Sequence, residues 1–363
     1  MPVIAALPSV GMDELDERLL GEITLRVWKY KEGELVTLMM HLGHELGLYS
    51  ALTGTGAVTA ADLAAASGCD DRWVLEWLRC QAAAGLVESD DGVTFELSPE
   101  AGAVLASADR PTFASGALVA PLGGERIEAI TEAIRTGRGF GYGEMGRDTA
   151  VSVEASFAPW ARAMLVPHVV PAIAGLGPRL DAGARVVDVG CGSGLMIELL
   201  AASFPLASYS GYDPSAHAIE LARTRLATTE RVSLVEAPAA ALPAEPTFDV
   251  ALAFDCLHDM PQPADALAAI RRSLVDDGVL VVKEIRSTGS FAADRKNPVL
   301  ALMYATSVTT CLASATADPG GAGYGTLGLD PATLERLCLD AGFASVTAHD
   351  LDDPVNLYYE VRC

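Results

Sequence analysis

Residues 184–194, Ala-Arg-Val-Val-Asp-Val-Gly-Cys-Gly-Ser-Gly, restrict the possible folds of this chain more than any other stretch. A mainly apolar run closes on glycine, three glycines fall within five positions, and LMIELLAAS follows with the pattern of a helix. A run without polar alternation is what a strand covered on both faces looks like. Gly190 and Gly192 let the backbone come close to a ligand where any Cβ would collide, and the helix opening there offers unpaired N–H groups. The alternation continues through SYSGYD and SAHAIELARTRL, through VSLVE, through FDVALAF and PADALAAIRRSL, to GVLVVKE. Strands alternating with helices in this way predict an α/β fold, a Rossmann-like doubly wound sheet over residues 181–363. The ending SVTAHDLDDPVNLYYEVR reads as two strands joined by an Asp/Pro turn, which places an antiparallel strand at or near the sheet edge.

Two further regions precede this one. Over residues 1–107, Leu35, Leu38, Met39, Leu42, Leu46 and Leu48 recur at helical spacing. TAADLAAASG reads as a helix capped by Thr59 and stopped at Gly68, and Asp70 caps a third helix, DRWVLEWLRCQAAAGLV. Two short strands around Asp91-Gly92 complete the order of a mainly α winged helix. Residues 108–180 form a helical connector, with helices expected over 123–137 and 149–176 and a glycine-rich piece, GRGFGYGEMG, between them.

Charge narrows the function. Of 363 residues, 25 are basic and 48 acidic, a net charge of −23. Such a chain repels phosphate backbones and anionic membrane surfaces. The third helix of the winged region carries Asp70, Asp71 and Glu76 against Arg72 and Arg79, and its wing is acidic too. A recognition helix needs cations for phosphates, so a DNA-binding regulator is a remote alternative. Trp73 and Trp77, four apart, are candidates for an interface or for core packing. The seven cysteines include no CxxC pair, so neither a zinc knuckle nor a redox pair is predicted. With no apolar span of membrane length and no basic segment at the start, the expectation is a cytoplasmic protein.

Asp213 stands nineteen residues beyond Gly194, at the end of the second strand, where a carboxylate can take both hydroxyls of a ribose. With Asp188 two residues before the first glycine, and Asp213-Pro214 after it, the stretch resembles the class I S-adenosylmethionine-dependent methyltransferases. The resemblance implies S-adenosyl-L-methionine as cofactor. It assigns the glycine loop (Gly190, Cys191, Gly192) and Asp188 to the methionine part, Asp213 and Pro214 to the ribose, and Phe254 and Asp255 to the wall beside it. One position departs from the pattern: the acid that contacts the adenine amine in this family is Pro238 here, which leaves backbone groups or Glu236 for that contact.

After the fourth strand comes Cys256-Leu257-His258-Asp259-Met260-Pro261. It is similar to the segment of small-molecule O-methyltransferases in which the histidine of a His-Asp pair is the general base. An imidazole suits proton removal near neutral pH, which makes His258 and Asp259 the catalytic candidates, with Glu284 an alternative orienter. Two other readings of His258 stay open: a structural or substrate-positioning residue, and a metal ligand. The only histidine downstream is His349, about 90 residues on, so no metal is expected. Tyr142, Phe157 and Trp160, and Tyr324 in the glycine-rich stretch 320–326, are candidates for a substrate pocket, with core packing as the alternative. Nearly the whole chain is similar to bacterial proteins that join a winged helix to a methyltransferase domain. That resemblance implies a homodimer formed through the winged region and methyl transfer to a small molecule, at a hydroxyl oxygen first. Carbon or nitrogen acceptors, metal assistance, and a cofactor-binding member that transfers no methyl group stay open.

Overall fold

The computed structural model describes residues 15–108 and 110–363. The chain divides into two compact units, residues 1–107 and 108–363.

In the first unit α1 (Glu17–Glu45) starts well before the leucine pattern, capped by Asp16, whose side chain accepts from the Leu19 N–H. Gly47, at φ +67°, separates it from α2 (Leu48–Leu52). Thr59 and Asp62 form a reciprocal capping box on α3 (Ala60–Ser67), and Asp70 caps α4 (Asp71–Ala83) through the N–H groups of Arg72 and Trp73. Caps of this kind contribute about 1 kcal/mol each. α5 (Pro99–Leu105) closes the unit. The wing differs from the expected hairpin. β2 (Thr94–Phe95) pairs with β1 (Val58–Thr59), and the sequence neighbour across Asp91-Gly92 contributes only a bridge between Glu88 and Glu96. Asp91 ties down the turn by accepting from the Val93 and Thr94 N–H groups, which shortens the first expected strand. The two tryptophans part company. Trp77 is buried against Gly43 and donates its indole N–H to the Met39 carbonyl at 2.8 Å, whereas Trp73 is 81% exposed.

The second unit begins with α6 (Gly124–Thr136) and α7 (Arg147–Trp160). The single helix expected over 149–176 is interrupted. Beyond α7 the chain widens into a π-helical stretch, Ala161–Val169, that accommodates Pro167, then ends in α8 (Val170–Ala172) and, after Gly175, α9 (Leu176–Asp181). The sheet follows: β3 (Arg185–Val189), β4 (Ser208–Asp213), β5 (Val232–Glu236), β6 (Phe248–Phe254), β7 (Leu274–Ile285), β8 (Ser345–His349) and β9 (Asn356–Arg362). Its helices are α10 (Leu195–Ser203), α11 (Ala216–Arg225), α12 (Pro263–Ser273), α13 (Phe291–Asp294), α14 (Leu300–Thr306), α15 (Leu312–Ala315) and α16 (Pro331–Asp340).

The strand order is β5-β4-β3-β6-β7-β9-β8; β3 to β7 run parallel, and β9 is antiparallel to both β7 and β8. This is the doubly wound sheet with a reversed terminal strand that the alternation predicts. Burial on both faces accounts for the mainly apolar runs. Val186 and Val281 join one core with Leu165, Leu176 and Ile197; their neighbours Val187, Leu280 and Val282 join the other with Leu267, Ile270 and Leu334. Strand order reverses between β3 and β6, and ligands of open α/β sheets bind outside the carboxyl ends of the strands at such a point.

Candidate active site

A cavity of about 400 Å³ opens at that reversal. Its first wall is the loop between β3 and α10. Gly190, Gly192 and Gly194 all have positive φ, at +72°, +52° and +78°. The reasons differ. A Cβ on Gly190 would stand 2.8 Å from the Cβ of Cys256, whereas one on Gly192 meets nothing within 4 Å and would project into open space. The loop thus packs tightly behind and leaves a bare backbone in front. Asp213 secures it: one carboxylate oxygen accepts from the Gly192 N–H at 2.9 Å and the other from the Ser215 N–H at 2.8 Å. Arg225 holds the same loop from α11, donating to the Ser193 carbonyl at 3.1 Å and pairing with Glu198 and with Glu154 of α7.

Two acceptors at this end are buried without a hydrogen-bond partner: Asp188 Oδ2 and Asp255 Oδ1. Burial, and then the charge of Asp213, pushes the Asp188 carboxyl up to about 7. Asp255 adopts φ +47° at the end of β6, and its other oxygen pairs with the buried Lys283 ammonium. Lys283 lies over the rings of Phe157, at 4.7 Å, and Trp160, at 4.3 Å. Phe157 lines the cavity and Trp160 does not; its indole N–H is taken by the Tyr358 hydroxyl at 2.6 Å, so it packs behind the wall.

The far end is assembled from distant segments. Gly139 donates to the Thr316 carbonyl and Phe140 to that of Ala313. A Cβ on Gly139 would lie 1.9 Å from the Ala313 oxygen, so the glycine-rich piece is flat against α15 by necessity. This docking carries Tyr142 to the cavity, where its hydroxyl donates to Asp259 Oδ2 at 2.5 Å. His258, in the short 3₁₀ turn Leu257–Asp259, stands behind Asp259 and is not part of the cavity lining. Its Nδ1 meets Glu284 Oε2 at 2.5 Å and its Nε2 faces Asp259 Oδ1 at 3.2 Å. Burial opposes a charge on this ring, but the Glu284 and Asp259 carboxylates outweigh it and hold the imidazole well above its usual range.

Asp188, Gly190, Cys191, Gly192, Asp213, Pro214, Phe254, Asp255, Asp259, Tyr142 and Phe157 all line one cavity. His258 and Trp160 lie one layer behind it. Tyr324 packs against the core and does not line the cavity. Pro238 is on the wall with Ala239 and Ala240, whereas Glu236 is not. Glu284 proves to be the partner of His258, and Asp259 touches it too. Sequence reasoning passed over Glu154, Gln262 and Asp318 on the wall, and Cys311 beside the His258 ring. Glu154 sits on an otherwise unremarked connector helix, and Cys311 is a lone thiol in sequence.

Comparison with known proteins decides the family. Residues 166–348 match the family described as "Methyltransferase domain". The chain belongs to this methyltransferase family. Residues 34–107 match the Rv2258c-like winged HTH domain. Among curated relatives, the chain is 40% identical over 104 residues to trans-aconitate 2-methyltransferase of Methylobacterium nodulans, covering 29% of this chain and 39% of that protein. It is 32% identical over 166 residues to the ubiquinone biosynthesis O-methyltransferase of Thiobacillus denitrificans, covering 44% and 65%. Both matches take in less than two thirds of the relative's length. The fold of the whole chain is similar to that of human N-acetylserotonin methyltransferase, solved in complex with SAM, at 17% identity and a TM-score of 0.67, covering 97% of this chain and 99% of that one. Among the described residues, no helix is long and apolar enough to cross a membrane.

Proposed function

We propose that this methyltransferase-family protein binds S-adenosylmethionine at the glycine end of its cavity and transfers the methyl group to an oxygen of a small-molecule acceptor at the Asp259 end. The observation that carries the reading is the bare Gly190–Gly192 backbone flanked by Asp213 and by two buried acceptors without partners, Asp188 Oδ2 and Asp255 Oδ1. A ligand with a ribose and an ammonium group supplies the donors that these oxygens lack. Asp213 would hold the ribose, Asp188 and the loop the amino-acid part, and Pro238–Ala240 an apolar face of the adenine. When bound, the cofactor supplies a methyl group on a positively charged sulfur, so the protein has mainly to align an acceptor and receive its proton.

Asp259 is the group we assign to that proton. Asp259 lines the cavity, and Tyr142 on Oδ2 and His258 beside Oδ1 hold the carboxylate from two sides. His258, clamped between two carboxylates, acts as a positioning residue in this reading and no longer as a free base. An oxygen acceptor is also what the second curated relative is named for. The seven free thiols suit a reducing, cytoplasmic setting.

The winged unit supports a homodimer. Leu19, Leu20, Ile23, Val27, Trp28 and Tyr30 are all exposed along α1, and clustered exposed apolar residues mark interaction sites. Light scattering should give twice the chain mass, and a monomer would remove this part of the proposal.

The direct test of the activity is calorimetry with S-adenosylmethionine, followed by release of S-adenosylhomocysteine in the presence of phenolic and enolic small molecules. Saturable binding and an acceptor-dependent gain of one methyl group are expected. Binding of a nicotinamide cofactor instead, or no affinity for S-adenosylmethionine, would overturn the reading.

A further inference from the structure

We infer that His258, Asp259 and Cys311 form a binding site for a zinc-class divalent cation at the acceptor end of the cavity. One donor atom from each lies within 4.8 Å of both others, and all three residues are buried, at 2%, 8% and 6% exposure. Imidazole, carboxylate and thiolate are the three ligand types that zinc accepts, at about 2.0–2.3 Å from the ion. Donors around one such ion stand about 3–4 Å apart, and the 3.2 Å between His258 Nε2 and Asp259 Oδ1 matches that spacing.

Two independent features point to a ligand here. Asp259 Oδ1 is a buried oxygen with no hydrogen-bond partner, and it is the oxygen turned toward His258. Cys311 ends a π-helical stretch, Ser307–Cys311, inserted between α14 and α15. Such insertions are rare and are frequent at functional sites. This one sets the thiol beside the His258 ring. The outer contacts are those a metal ligand needs. Glu284 takes Nδ1 and leaves Nε2 for the ion; Tyr142 holds the other oxygen of Asp259. A carboxylate behind the histidine is the usual support of a bound metal.

Three protein ligands leave a fourth position, and Asp259 is the member that reaches the cavity wall. The inference rests on the reading above only for its use and changes one role in it: with an ion bound, Asp259 would be a ligand and no longer the proton acceptor, and an acceptor oxygen at the open position would lose its proton to water more readily. Its existence as a site does not depend on methyl transfer.

The test uses the full chain, stripped with a chelator and dialysed. Zinc is titrated in competition with a chromophoric chelator, and cobalt(II) is added separately to read thiolate coordination by its near-ultraviolet charge-transfer band. One tight equivalent of zinc and a cobalt–thiolate band are expected. Cys311→Ser should abolish the band and, like Glu284→Gln behind the histidine, weaken zinc by at least about 10–100-fold. Asp259→Asn serves as a second ligand variant. S-adenosylmethionine affinity, measured on each variant, reports that the fold is intact and tests the cofactor reading separately. No zinc bound above background, or zinc bound equally by wild type and Cys311→Ser through the other six cysteines, overturns the proposal. Failure of cofactor binding with zinc retained would instead count against the methyl-transfer reading alone.

Discussion

At one end of the cavity, seven consecutive residues, Asp188–Gly194, and the acid at Asp213 make a backbone cradle; at the other, Asp259, Glu284 and Cys311 meet around one imidazole, with Tyr142 from a further segment bonded to Asp259. The first end is local. Its shape follows from glycines whose conformations few other residues adopt, and its few side chains act through backbone N–H groups. The second is tertiary, and its chemistry comes from burial: the same histidine in water would titrate near neutrality, whereas here two carboxylates hold its charge. A local site tolerates changes elsewhere in the fold. A tertiary one depends on every segment that delivers a side chain to it.

If the two ends are separable, damage to one should leave the other intact. The largest effect belongs to the acceptor end. Asp259→Asn should lower turnover by about 10²–10⁴-fold, the scale of a positioned proton acceptor, with cofactor affinity nearly unchanged in calorimetry. A parallel loss of affinity would show that the ends are one unit and break the comparison. A smaller effect is expected at the glycine end. Asp213→Ala should weaken S-adenosylmethionine by roughly 10–150-fold, since hydrogen bonds to a charged group are worth about 1.5–3 kcal/mol. Turnover at saturating cofactor should largely recover. Unchanged affinity would remove Asp213 from the cofactor site.

The contrast also governs what could be read from residues alone. The sheet, its reversed strand and the glycine cradle were legible because each rests on a short-range rule: apolar runs for covered strands, glycines for positive φ, an acid closing the next strand. The wing strand at Val58–Thr59 was not, because two residues are too few to show a period, and its partner lies 35 residues away. Nor was the break after Trp160, where a helical pattern runs on while Pro167 forces the backbone into a wider turn. At the acceptor end the His-Asp pair was visible as a motif, but its surroundings were not. Nothing in sequence says that His258 lies behind Asp259, that Trp160 and Tyr324 pack away from the cavity, or that a lone cysteine 53 residues on meets the same ring. Such contacts are fixed by the docking of 137–146 against 307–316, which has no short-range signature.

The smallest expected effect sharpens the account of the glycine end. Asp188 is buried, and its carboxyl titrates at about 7 where an ordinary aspartate does so near 3.8. Its pKa is higher folded than unfolded, so the stability it contributes is whole below about pH 4 and is lost as pH rises through 7. The apo protein should therefore lose melting temperature across that window, and Asp188→Asn, which cannot ionise, should lose less. Cofactor binding should respond in the opposite sense. The ionised carboxylate is the form that attracts an ammonium group, so affinity for S-adenosylmethionine should rise by up to about ten-fold between about pH 6 and 7.5, one pKa unit's worth of interaction. Above that range the ligand's own amino group begins to lose its proton. Calorimetry at a series of pH values on wild type and Asp188→Asn separates the contributions, because the variant should bind with a flat profile over the lower range. A wild-type profile equally flat would mean that Asp188 faces no cation, and that it serves the loop's packing instead of the ligand.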